Sequence, residues 1–202
     1  MGCSGTKSNN DNSINVKKRD KFIKDFFNKS LESSVEKITF IKIKKKMKIS
    51  NNFIDIEEED IITVKTEEPS TYSDYYWFVM DCEVNKLETK EIYIDDKKVD
   101  DSNFKIKDDY YIKIEYEKIY SGQIRKIKVI QKIEKSFIHY CSHTLILNRD
   151  KDVFVRFVIY GDDVIIDDIT NKNYIFNNEL NLAYFEGITN EDTILEHGYI
   201  NY

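Results

Sequence analysis

Apolar and polar residues alternate along most of this chain, and the alternation predicts strands. The clearest case is residues 41–49, where Ile41, Ile43, Met47 and Ile49 alternate with lysines. On a strand, the lysines would share one face and the apolar residues would point into a core. Further strands are predicted at residues 53–56, 61–65, 75–84, 91–94, 104–106, 137–140, 144–147 and 174–176.

Two hairpins are predicted from turn residues between alternating segments. The first joins residues 110–116 to 124–133 around Ser121, Gly122 and Gln123, and the second joins 153–160 to 164–169 around Gly161. The charged segments 57–60 and 67–70 are predicted to be loops. Since no helical pattern separates the strands, the sequence predicts a mainly β fold, an antiparallel β-sandwich or barrel.

One segment has the period of a helix. Between residues 20 and 37, apolar residues recur at intervals of three and four, from Phe22 through Phe26 to Val35, and Asp20 is a suitable N-cap. We expect this amphipathic helix to dock on the core; lying in a membrane interface is the alternative. Residues 1–19 are predicted to be a disordered tail and residues 38–202 a single β-rich domain, with a short helix near 190–197.

Charge is unevenly distributed over the 202 residues. The net charge is -6, yet residues 1–50 carry 13 Lys/Arg against 5 Asp/Glu, which leaves the rest of the chain strongly acidic. An anionic surface would orient such a molecule with its basic end inward. Because the body is acidic and has no basic platform with interleaved aromatics, we expect no nucleic-acid partner.

The N-terminal sequence Met1-Gly2-Cys3-Ser4-Gly5-Thr6 fits the N-myristoylation pattern. It resembles the start of dual-acylated eukaryotic proteins, among them many protist membrane-periphery proteins. The resemblance implies myristate on Gly2 and palmitate on Cys3. One myristoyl chain binds a membrane only marginally.

A second membrane signal is therefore expected beside the myristate. Palmitate on Cys3 is one candidate, and the basic residues Lys17, Lys18, Arg19, Lys21 and Lys24 are another, attracted to an anionic leaflet. No signal peptide and no apolar run of bilayer length are seen, so we expect a location on the cytosolic face of a membrane.

The lysine face of residues 41–49 is a candidate anion site. Four ammonium groups, from Lys42, Lys44, Lys46 and Lys48, would line one side of the strand. They could bind lipid headgroups, protect a sheet edge, or be neutralised by the acidic residues 57–60.

The remaining candidate chemistry is sparse. His139, Cys141 and His143 are spaced two residues apart. On a strand they would share one face, and the two histidines would lie too far apart to bind one zinc ion together. Cys141 with His143 could form a nucleophile–base pair, but no third group is suggested. Acidic pairs such as Asp95-Asp96 are interpreted as turn formers, with calcium binding the alternative. No metal or cofactor is expected.

The function predicted from the sequence is non-catalytic. We expect a membrane-tethered interaction or scaffold module at the cytosolic leaflet, with a protein partner that the sequence does not identify. The alternative is a pleckstrin-homology-like domain that binds phosphoinositides through Lys42–Lys48. A cysteine hydrolase using Cys141 and His143 ranks third.

Overall fold

The computed structural model describes residues 8–31, 41–63, 75–79, 87–107, 111–115, 122–134, 141–144, 153–162, 164, 166, 174–189 and 194–197. Strands predominate in them, which confirms a mainly β fold with one helix. The helix is α1 (Ser8–Asn28), and the strands are β1 (Ile41–Ile49), β2 (Phe53–Thr63), β3 (Tyr75–Val79), β4 (Leu87–Ile94), β5 (Lys97–Lys98), β6 (Phe104–Lys107), β7 (Tyr111–Glu115), β8 (Ile124–Glu134), β9 (Cys141–Thr144), β10 (Val153–Gly161), β11 (Ile175–Asn177), β12 (Leu182–Thr189) and β13 (Ile194–His197).

Eight strands form one large sheet in the order β11-β12-β10-β1-β2-β8-β4-β5, and two smaller sheets are β3-β7-β6 and β9-β13. The large sheet is mixed, because β1 and β10 run parallel and its other neighbours are antiparallel. The all-antiparallel expectation therefore fails at this one pair. A parallel pair needs a long crossover connection rather than a hairpin, and more than a hundred residues separate β1 from β10 along the chain.

The inner face of the large sheet carries the main core. Alternate residues of β1, β2, β8 and β10 are buried there, among them Ile43, Met47, Ile49, Ile54, Ile56, Ile127, Val129, Ile133, Val155, Phe157 and Ile159. The predicted alternation along β1 is thus confirmed, with Ile43, Met47 and Ile49 in the core.

Strand β10 is buried on both faces over Val153–Ile159. Its odd-numbered residues face the main core, and its even-numbered residues meet helix α1 on the outer face, where Val158 packs with Ile23. A strand that is covered on both faces carries a nearly continuous run of apolar residues. This explains why residues 153–160 are almost all apolar or aromatic.

Helix α1 is longer at its N-terminus and ends earlier than predicted. It begins at Ser8 and ends at Asn28, so residues 8–19, predicted to be a disordered tail, are helical. Residues 29–31 lie outside the helix and residues 32–37 outside the described residues. The expected docking of its Phe-rich stripe on the folded body is confirmed.

Both predicted hairpins are wrong, although their main strands exist. β7 pairs with β3 and β6, whereas β8 pairs with β2 and β4 in the large sheet. Both edges of β10 are occupied, by β1 and β12, so β10 does not form the predicted hairpin with residues 164–169. Val164 and Ile166, described within that segment, lie outside any strand and pack against the core.

Two further expectations are corrected. Residues 57–60 are not a loop but the middle of β2, where Glu57–Glu59 face lysines of β1 in register. Residues 194–197 form strand β13 rather than a helix. By contrast, Asp95 and Asp96 do form the turn between β4 and β5, both at positive φ (47° and 66°), as a tight two-residue hairpin requires.

Candidate functional site

The candidate site is the outer face of the large sheet, where α1 packs across β10 and β12. Ile23 is buried there against Val158 and Leu182, and Phe22, Phe26 and Phe27 pack around them. Phe22 and Phe26 each lie with ring centroids 5.3 Å from the ring of Tyr184. These contacts fix which side of the helix faces the protein.

Two buried arginines reinforce this docking at opposite ends of the contact. Arg19, on the helix, donates to the carbonyl of Gly161 and lies 3.3 Å from the carboxylate of Asp162. Arg156, on β10, donates from Nε to Glu186 at 2.8 Å and from Nη1 to the carbonyl of Lys29, just beyond the helix end. Arg156 thereby satisfies a carbonyl that follows the last helical turn.

The turn that follows β10 is held by a polar network. Lys48 reaches Asp162 at 2.9 Å, and Gly161 lies so close to the carbonyl of Val164 that a Cβ would clash with it at 2.0 Å. The hydrogen bond and charge of Lys48, with a smaller contribution from Arg19, outweigh the effect of burial and hold the pKa of Asp162 below its ordinary value. Arg19, predicted to contact lipid, is 5% exposed and belongs to this network.

The opposite side of the helix carries a row of lysines. Lys17, Lys21 and Lys24 are exposed, and their spacing of four and three residues places them on one stripe. At 1.5 Å per residue this lysine stripe is about 10 Å long. Lys21 pairs with Asp25 one turn away, and Lys18 lies to one side, 3.3 Å from Glu179. The predicted basic set thus divides into an exposed stripe, one lateral ion pair and one buried arginine.

Lys42, Lys44, Lys46 and Lys48 share the outer face of β1, as predicted, and the last three of them are paired with carboxylates. Lys44 lies 3.5 Å from Glu59 and Lys46 lies 2.6 Å from Glu57, while Lys48 binds Asp162 as described above. Lys42 also has an interaction within the protein. The alternative in which residues 57–60 neutralise these lysines is confirmed for Glu57 and Glu59.

Glu57 lies between two lysines, because Lys128 of β8 reaches it from the other side. Burial alone would raise the pKa of Glu57, but hydrogen bonds from Lys128 and Lys46 outweigh it and hold that pKa below its ordinary value. The outer face of β1, β2 and β8 therefore carries a network of ion pairs.

A groove of about 430 Å³ runs between α1 and this ion-pair network. Its lining consists of Asp20, Ile23, Lys24, Phe27, Asn28, Lys44, Lys46, Glu57, Glu59 and Tyr160. This volume falls in the range of small-ligand sites, about 300–1,000 Å³. Sequence reasoning missed the groove, since it forms only where the helix crosses the sheet.

Sequence reasoning also missed a charged pair on the inner face. Lys45 is fully buried, directly opposite Glu58 in the β1–β2 register, with 3.3 Å between its Nζ and Oε2 of Glu58. Asp60 and Gln131 are buried on the same face. Three consecutive lysines opposite three glutamates, Lys44–Lys46 and Glu57–Glu59, were the sequence signal for this pairing.

The other predicted residues are placed as follows. Gly2, Cys3 and His139 lie outside the described residues. Cys141 and His143 are on β9, whose register with β13 places His197 opposite Cys141. Within the described ranges, no group of three or more His, Cys, Asp or Glu residues is arranged to hold a metal ion, and no helix has the length and apolarity needed to cross a bilayer.

Comparison with known proteins leaves the family of this chain open. No protein-family model and no curated protein matches the sequence. Among solved structures, the chain is similar to leukotriene A4 hydrolase from Saccharomyces cerevisiae, with a TM-score of 0.44, 11% identity, and coverage of 90% of this chain and 31% of that one. It is also similar to Legionella pneumophila aminopeptidase A, with a TM-score of 0.37, 7% identity, and coverage of 79% and 20%. The chain thus spans less than a third of the length of these neighbours.

Proposed function

We propose that this protein is a non-catalytic, membrane-tethered interaction module on the cytosolic face of a membrane. Acyl chains on Gly2 and Cys3 anchor it, the exposed face of α1 meets the anionic leaflet, and the β-rich body recruits a protein partner. The observation that carries the proposal is the docking of α1, which leaves Lys17 and Lys21 exposed on the side away from the sheet and Lys24 exposed beside the groove.

The docked helix connects the N-terminal segment that carries the anchor to the body. Its apolar side is used in packing against β10 and β12, so the helix meets lipid with charge rather than with its phenylalanines. Gly2 lies only six residues before Ser8, which keeps the stripe close to the leaflet that holds the acyl chains. Because one myristoyl chain binds only marginally, a nearby basic stripe is the kind of second signal it needs.

The size of the electrostatic contribution follows from the stripe. Each basic residue near an anionic surface contributes about 1 kcal/mol, so three lysines set an upper limit near 3 kcal/mol, or roughly a hundredfold in affinity. Asp20 and Asp25 share the exposed side of the helix, so we expect a smaller effect, about tenfold at low salt.

The test compares two triple variants of the full chain, myristoylated at Gly2, on vesicles. The first carries Lys17→Gln, Lys21→Gln and Lys24→Gln; the control carries Lys97→Gln, Lys105→Gln and Lys126→Gln, which makes the same charge change on β5, β6 and β8, away from α1. We expect the first variant alone to lose affinity for vesicles that contain phosphatidylserine, with no loss on pure phosphatidylcholine. Equal losses in both variants would refute a specific role for the stripe.

The phosphoinositide alternative is weakened by the ion pairs on β1. Lys44, Lys46 and Lys48 already bind carboxylates, and a headgroup would have to displace them. If the unacylated chain bound phosphoinositide vesicles selectively, and replacement of these three lysines by Ser abolished that binding, the alternative would be preferred.

A further inference from the structure

Apolar and aromatic side chains from both the helix and the sheet line the groove beside α1, together with charged side chains. Ile23 and Phe27 project from the helix and Tyr160 from β10. Tyr160 is half-buried, and burial raises the pKa of its hydroxyl. The ring of Tyr160 also lies under the guanidinium of Arg19, 4.7 Å from the ring centroid. This aromatic lining is therefore held in place by the same contacts that dock the helix.

The charged side chains that line the groove are balanced in sign. Its lining has three basic residues, Lys24, Lys44 and Lys46, and three acidic ones, Asp20, Glu57 and Glu59. Lys44 and Lys46 are paired with Glu59 and Glu57 across β1 and β2. A charged ligand would lose hydration there without meeting an excess of opposite charge. An uncharged, apolar ligand matches this lining best.

The N-terminus of the chain can reach the groove. Groove residues on the helix begin at Asp20, 12 residues after Ser8, which is about 18 Å along the helix axis. The six residues from Gly2 to Ser8 span at most about 20 Å when extended. An amide-linked acyl chain on Gly2 could therefore enter beside Asp20 and continue past Ile23 and Phe27.

We propose that the groove between α1 and β1–β2 binds the myristoyl chain of Gly2, which makes it an intramolecular acyl site. The inference rests on the acylation in the proposed function and adds a regulated state to it. With the chain in the groove, the protein is released from the membrane; with the chain in the bilayer, the groove is open. Membrane affinity is then reduced by the fraction of molecules in the sequestered state.

The direct test is NMR on the full-length chain carrying a ¹³C-labelled myristoyl group on Gly2 and no palmitate. We expect nuclear Overhauser effects from the acyl methylenes to the ring protons of Phe27 and Tyr160. The ring of Tyr184, which packs under the helix outside the groove lining, is the internal control. Acyl methylenes that show no contact with Phe27 or Tyr160 would overturn the proposal.

A second test fills the groove. Asn28 is an exposed lining residue at the end of α1, so Asn28→Trp should narrow the site without disturbing the docking contacts. On pure phosphatidylcholine vesicles, the myristoylated variant is expected to bind several-fold more tightly than the myristoylated wild type. Unacylated forms of both proteins control for membrane binding by the added indole. If the unacylated pair shows the same increase in vesicle affinity, or if the myristoylated variant shows none, acyl binding in the groove is contradicted.

The two proposals fail separately. Both tests use protein myristoylated before purification and verified by mass, so they report on the groove whether or not cells acylate Gly2. Absence of acylation in the native cell would remove the proposed function while leaving the acyl site measurable. If the protein is anchored at the membrane but its acyl chain does not occupy the groove, only this inference fails. The wild-type spectrum decides the question even if the tryptophan variant does not fold.

Discussion

Arg156→Met tests whether the buried arginine of β10 holds helix α1 on the sheet. Methionine keeps an unbranched side chain and removes the guanidinium. The change eliminates the hydrogen bond to Glu186 at 2.8 Å and the donation to the carbonyl of Lys29, together with a weak one to the carbonyl of Phe27 at 3.4 Å. Arg156 is 3% exposed, so water does not replace these bonds in the folded protein.

The magnitude follows from these contacts. A hydrogen bond to a charged group contributes about 1.5–3 kcal/mol, and removing one member of a buried ion pair costs about 3–5 kcal/mol. Two features reduce that cost. Glu186 retains a second ion-pair partner, Lys29, at 3.3 Å, and Nη2 of Arg156 makes no hydrogen bond in the structure, so none is lost there. We therefore expect a loss of about 2–4 kcal/mol, which lowers the Tm of a chain this long by about 5–15 °C.

The assay combines thermal unfolding with amide hydrogen exchange. Arg156→Met should lower the Tm and should accelerate exchange in α1 more than in β2 and β8. Lys98→Met is the matched control, because it removes the exposed ion pair with Glu91 and is expected to leave the Tm unchanged. If Arg156→Met behaves like the control, the docking does not depend on this arginine, and the account of α1 is wrong.

Other predictions follow from the two faces of the sheet. Lys45→Met should cost about 3–5 kcal/mol by removing the ammonium group that faces the buried carboxylate of Glu58, and the double variant Lys45→Met, Glu58→Met should cost much less in urea unfolding. Ile43→Asp should destabilise by several kcal/mol, measured the same way, since it places an unpaired charge in the core; full stability would contradict its burial. Glu57 has a folded-state pKa below its ordinary 4.5, so its stabilisation is complete above that pH and is lost as the pH falls through the lower value. Lys46→Gln should make that acid loss shallower, and an unchanged slope between pH 5 and pH 2 would contradict the pairing.

Alternation predicted strands well but not their partners. The period of two located β1 and β8 and assigned Ile43 and Met47 to the core, because each side chain's face is a local property of the strand. Strand pairing is a property of the whole sheet. Ser121-Gly122-Gln123 suggested a hairpin, yet β7 and β8 belong to different sheets, and the parallel neighbour of β1 lies more than a hundred residues away.

The charged residues of β2 illustrate a different limit. A run of four acidic residues, Glu57–Asp60, looks like a solvated loop when charge alone is considered. It lies in a strand, where β1 places lysines opposite the three glutamates and Ile43 opposite Asp60. The same register buries Lys45 against Glu58 in a core where alternation predicted an apolar residue.

The candidate site was predicted in part. The helical period identified the phenylalanines that dock α1, and the basic residues were recognised as a set. Which of them are exposed depends on the docking angle, which buries Arg19 and leaves the stripe of Lys17, Lys21 and Lys24 outside. The groove needs the helix and the sheet together, so no local pattern could have indicated it.

The most direct test of the membrane tether is made in the native cell. The N-terminal peptide of the endogenous protein is analysed by mass spectrometry, and the membrane-bound fraction is measured for the wild type, Gly2→Ala and Cys3→Ser. The account predicts myristoyl-Gly2 in the wild type, complete loss from membranes in Gly2→Ala, and weak, reversible binding in Cys3→Ser. An unmodified Gly2, or a Gly2→Ala variant that still sediments with membranes, would contradict it.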